Sequence, residues 1–103
     1  MNSTQIYQSK SLLCKQIKMS EHFLYNEAFV LEKGGILPHL EIAYHTYGKK
    51  NADGSNVVWI CHALTANADV ADWWPGMVGK NFAFDPDTCF IVCANIIGSC
   101  YGS

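Results

Sequence analysis

Two nearly unbroken apolar runs constrain this chain most: Asn56 to His62 (NVVWICH) and Cys89 to Ile96 (CFIVCANI). Each is short enough for one strand and apolar on both alternating faces, the pattern of a strand covered above and below. About 26 residues separate them, enough for a crossover with a short helix between parallel strands. The DPDT stretch at 85–88 is a turn placed just before the second run. Upstream, Ala28 to Glu32 is a short apolar run ended by Gly34-Gly35, and Leu40 to Tyr47 (LEIAYHTY) alternates. These two segments are expected to form an antiparallel pair joined around GGILPH, with GKKNADGS as the next turn. The order strand, strand, buried strand, crossover, buried strand predicts the α/β class.

The length of 103 residues bounds the chain to one small domain. Half of it is hydrophobic, and three Trp, five Tyr and five Phe supply large core groups, which excludes a disordered composition. Residues 1–18 show no strong period and read as a poorly ordered leader, so the domain is expected over 19–103. Met19 would be a plausible start on its own. Lys10, Lys15 and Lys18 give the leader a charge of +3, while the remainder holds four Lys against nine acids. Three lysines on a polar leader read as a solvated tail, and no nucleic-acid partner is expected. No stretch approaches the roughly 20 apolar residues that would cross a bilayer, so no membrane partner is expected either. The five cysteines are an odd count without paired two-residue spacing, and no secretory signal precedes them. They imply reduced thiols, a cytoplasmic location and no metal site.

In parallel α/β sheets the chemistry gathers at the carboxyl ends of the strands. Here those ends are His62-Ala63-Leu64-Thr65 and Asn95-Ile96-Ile97-Gly98. The backbone N–H of Leu64, just past a strand end, is placed to serve an oxyanion hole. His62 would brace the loop rather than transfer protons. The competing reading makes this segment a plain strand exit with a satisfied His. Gly98-Ser99-Cys100-Tyr101-Gly102 formally matches a G-x-nucleophile-x-G elbow, but no acid, His or helix follows it, and a short glycine-rich loop is the better reading. Trp73-Trp74 could wall a pocket or pack helix on sheet. Asp69 and Asp72 could be helix N-caps or general bases.

The combination of GG-x-L, the IAYHTYG strand, N-A-D-x-S-N, the strand ending ICHALT and the strand ending ANIIGSCYGS resembles the N-terminal third of homoserine O-acetyltransferases. The likeness runs from about Phe29 to the last residue. It implies the N-terminal part of an α/β-hydrolase fold, truncated before the nucleophile. It further implies ping-pong acyl transfer, in which a nucleophilic Ser takes acetyl from acetyl-CoA and passes it to the hydroxyl of L-homoserine in methionine biosynthesis. On that resemblance the N–H of Leu64 helps to hold the oxyanion. Thr65, Gly98, Ser99 and Tyr101 then line the substrate pocket. No bound cofactor is implied beyond acetyl-CoA as co-substrate, and the whole enzyme is expected to be a homodimer. Homoserine O-succinyltransferases and serine O-acyltransferases share much of the pattern. An esterase of the same fold and a non-catalytic remnant are the competing readings. The elbow Ser, the triad Asp and His, and the arginine that would meet the substrate carboxylate have no counterpart in this sequence. The isolated chain is therefore expected to be inactive and poorly soluble or partly molten.

Overall fold

A computed structural model describes residues 20–103. The expected leader, residues 1–18, lies outside the described residues. Among the described residues six strands and one short helix follow in chain order: β1 (Glu21–Tyr25), β2 (Phe29–Val30), β3 (Ile36–Leu37), β4 (Leu40–Tyr47), β5 (Val57–Ile60), α1 (Val70–Trp73) and β6 (Phe90–Ala94). A four-stranded sheet has the order β1-β4-β6-β5, and β2 and β3 form a separate two-stranded ribbon.

The two apolar runs become β5 and β6, and they pair in parallel with Val58 opposite Ile91 and Ile60 opposite Cys93. The residues between them make the crossover, including the four-residue α1. The antiparallel expectation needs correction. Leu40–Tyr47 pairs with β1, not with the Ala28–Glu32 segment, and Tyr44 lies opposite Glu21. Phe29–Val30 pairs instead with Ile36–Leu37 across the Gly34-Gly35 turn. The physical reason is length. The tight turn between Phe29 and Leu37 leaves two residues on each side, whereas β4 offers eight residues and five of them find partners on β1. On its other edge β4 pairs antiparallel with β6, so the sheet is mixed.

One face of the sheet carries the core. Ile60, Val70, Ile91 and Cys93 are buried together, with Tyr47, Val58, Trp73, Val78, Phe84 and Cys89 packed around them. The period of two along a strand sends Val58 and Ile60 to this face and Trp59 to the other. Burial raises the Cys93 thiol from 9.0 to about 11. The crossover is tied to β4 by the Tyr47 hydroxyl, which donates to Asp69 Oδ1 at 2.7 Å. Asp69 occupies the N-cap position of α1, yet its carboxylate caps no backbone N–H there and serves Tyr47 instead.

Among the described residues the second face of the sheet carries no cover, although the two apolar runs ask for cover on both sides. Trp59 is 62% exposed, and Phe23 is 53% exposed. With Ile42, Tyr44, Val92 and Ala94 they line an apolar concavity of about 550 Å³ that runs up to His62, Asn95 and Ile96 at the strand ends. A continuous apolar run reports that both faces want cover; only neighbouring elements decide whether both receive it.

Candidate active site

β5 and β6 are parallel neighbours, so their carboxyl ends deliver both loops to the same rim of the sheet. After β5, the Ala66 N–H closes a turn on the Ala63 carbonyl at 2.9 Å. Leu64 takes the first central position of that turn. Its N–H is not used by the turn bond, and the residue is 94% exposed. After β6, the Ser99 N–H closes a turn on the Ile96 carbonyl at 2.9 Å. Gly98 sits at the second central position with φ +87°, the left-handed value such a turn asks of glycine. The Ser99 hydroxyl accepts the Tyr101 N–H, and the Ser103 hydroxyl accepts the Gly98 N–H.

His62 joins the two loops. The Ile96 N–H donates to its Nε2 at 3.3 Å, which requires that nitrogen to be unprotonated. Its Nδ1 then carries the proton and donates to the Ala63 carbonyl at 2.8 Å. Both ring nitrogens of this buried imidazole are engaged by backbone, which ties the segment after β5 to the end of β6. Asn95 is the second buried polar group at this end. Its Oδ1 accepts the Ala68 N–H at 2.8 Å, and its Nδ2 donates to the Tyr101 carbonyl at 2.8 Å.

Together the loops border an open concavity of about 560 Å³ lined by His62, Leu64, Thr65, Gly98, Ser99 and Tyr101, among others. All five candidate residues, Leu64, Thr65, Gly98, Ser99 and Tyr101, therefore come together. Cys100 lines the cavity too, but its thiol is exposed and its segment is a loop. The Gly102 carbonyl accepts the Ala43 N–H at 2.9 Å, so the chain turns back along β4. That is not the strand–turn–helix of a nucleophile elbow. Trp73 is half-buried in the core, and its indole N–H donates to the Asn67 carbonyl at 2.8 Å. Trp74 stacks on it with ring centroids 5.7 Å apart, so the pair packs the crossover rather than walling this cavity. Asn95 was missed as a site residue. The available signal was a lone carboxamide at the end of an apolar run, where a buried polar group needs partners.

No family model matches the chain. A homoserine O-acetyltransferase from Chlorobaculum parvum is 58% identical over 77 residues, covering 75% of this chain and 22% of that protein. Among solved structures, homoserine O-acetyltransferase from Bacillus anthracis superposes with a TM-score of 0.67 at 29% identity, covering 74% of this chain and 22% of that one. An acetylester hydrolase from Corynebacterium glutamicum gives 0.66 at 30% identity, covering 77% and 22%. The parallel pair, the crossover and the two loops at the strand ends thus form part of an α/β-hydrolase fold. Within that class the chain is a homologue of the homoserine O-acetyltransferases over the segment they share. It spans about a fifth of the length of the curated relatives it matches. No helix among the described residues is long and apolar enough to cross a membrane.

Proposed function

We propose that the chain forms the oxyanion-loop side of an acyltransferase site that moves acetyl from acetyl-CoA to the hydroxyl of L-homoserine, a step of methionine biosynthesis in the cytoplasm. The observation that carries this reading is the convergence of the two strand-end loops on one cavity, fastened by His62. The Leu64 N–H, unused by its turn, would meet the oxygen that becomes negative as the acyl carbon turns tetrahedral. Thr65, Gly98, Ser99 and Tyr101 would flank the acyl group and the acceptor. The mechanism is ping-pong. A serine hydroxyl attacks the thioester carbonyl, the C–S bond breaks, and CoA leaves as the thiol with the proton taken from the serine. The homoserine hydroxyl then attacks the acyl-enzyme and returns a proton through a histidine, giving O-acetylhomoserine and the free serine. The serine and its Asp and His partners would come from protein outside this sequence, within an enzyme that pairs as a homodimer. A succinyl donor or a serine acceptor would use the same loops.

An ester-hydrolysing relative is the second reading, favoured by the similarity to the Corynebacterium glutamicum acetylester hydrolase. A chimera separates the two. The segment of this chain that matches the Chlorobaculum parvum enzyme replaces the corresponding 77 residues there, and the product is purified from a host lacking its own enzyme. The expected result is CoA release that depends on homoserine. A folded chimera that hydrolyses simple acetyl esters faster than it acetylates homoserine would refute the proposal.

A further inference from the structure

We infer that Asn95 is a positioning residue of the acyl-transfer site, a role that rests on the function proposed above. The residue is 5% exposed at the carboxyl end of β6. The acceptor end of its carboxamide holds the Ala68 N–H at 2.8 Å, two residues beyond the turn that presents Leu64. The donor end holds the Tyr101 carbonyl at 2.8 Å and the Gly102 carbonyl at 3.5 Å. One side chain thus spans the segment after β5 and the segment that carries Tyr101, and so fixes the width of the cavity between them.

The chemistry is specific to a carboxamide of this length. An ionised carboxylate offers no donor to two carbonyls, and leucine offers neither donor nor acceptor. The seat is also sterically closed. A Cβ on Gly102 would come within 2.8 Å of the Ala43 Cβ and 3.8 Å of Asn95 Nδ2. The Asn95 N–H donates to the Ala43 carbonyl, which locks the backbone beneath the carboxamide to β4. The adjacent Ile96 N–H meets His62, so consecutive residues fasten the two sides of the cavity. Removing the Asn95 bonds would let the loops separate while the His62 tie persists. The fold would survive, and the oxyanion donor would be displaced from the reacting carbonyl.

The test uses the chimera and reads acylation by acetyl-CoA in a single turnover, with burst amplitude counting folded sites and the rate reporting their geometry. Asn95→Leu should lower the rate per site by about tenfold or more, since misplacement on the ångström scale costs factors of that order. Asn95→Asp should be as slow at neutral pH and recover, relative to the parent, as the pH falls. Once protonated, its carboxyl can donate to the Tyr101 carbonyl while the other oxygen still accepts from Ala68. His62 shares the open concavity with position 95, so the same pH series is run on Asn95→Leu, which keeps His62 without the carboxylate and should show no acid recovery. Lower amplitudes with unchanged rates per site would mark a purely structural residue and overturn the role. Acid rescue decides the case if Asn95→Leu fails to fold: its absence in Asn95→Asp overturns the role. An inactive parent chimera would overturn the acyl-transfer reading itself, and this role with it.

Discussion

Replacing Gly48 with alanine adds one methyl group at the end of β4, where the surroundings leave it no room. The new Cβ would lie 2.2 Å from the Cys89 carbonyl oxygen and 2.5 Å from that of Pro86. Both are backbone atoms at the entry to β6, so no side chain can swing away. Reaching an ordinary carbon–oxygen separation requires a shift of about 1 Å. The backbone at Gly48 also has φ +82°, a left-handed conformation that costs a non-glycine residue roughly 1–3 kcal/mol. Overpacking of a tight site adds about 1–3 kcal/mol. The total, about 2–6 kcal/mol, compares with the whole stability of a typical domain, about 5–15 kcal/mol. Gly54 supplies the control, because its φ is +71° and a Cβ there meets nothing within 4 Å. Gly54→Ala should bear only the conformational cost. Urea midpoints of the two variants in the chimera isolate the steric part. Equal losses at Gly48 and Gly54 would refute the argument that the β4–β6 approach forbids a side chain.

The open sheet face predicts the behaviour of the chain by itself. It should bind apolar dyes, self-associate and release no CoA with homoserine, and Trp59→Lys should raise its soluble fraction; a monodisperse, dye-silent chain would contradict this. The Cys93 thiol gives a pH dependence. Its folded value of about 11 lies above the ordinary 9.0, so its contribution is present in full below pH 9 and is lost as the pH rises toward 11. Stability measured across that window should fall more steeply in the parent than in Cys93→Ala. Parallel curves would show that the buried thiol carries no such linkage.

Much of the strand layout was legible because it rests on local pattern. The alternation of LEIAYHTY gave β4, and the two apolar runs gave β5 and β6 with a crossover between. The strand-end positions also named the loops that border the concavity, since parallel strands must present the same ends to one rim. The partner of β4 was not legible. Residues 21–25 have strand chemistry of their own, but which strand pairs with which is a long-range competition that no local window contains. The Asn95 carboxamide at the end of an apolar run was visible, but its partners were not, because Ala68 and Tyr101 meet it through backbone groups that carry no sequence signature.

The sequence by itself determined that β4, β5 and β6 form, where the chain turns between them, and that His62 and Leu64 follow a strand, but it raised no expectation of β1. Periodicity and turn chemistry are properties of neighbouring residues, so they survive without the fold. Only the tertiary structure decided that β6 inserts between β4 and β5, and that His62 and Asn95 fasten two loops into one cavity. It also decided that, among the described residues, one face of the sheet is covered while Trp59 on the other is exposed. Those outcomes depend on which surfaces meet, and a hydrogen bond between Ile96 and His62, 34 residues apart, exists only once the strands between them have paired.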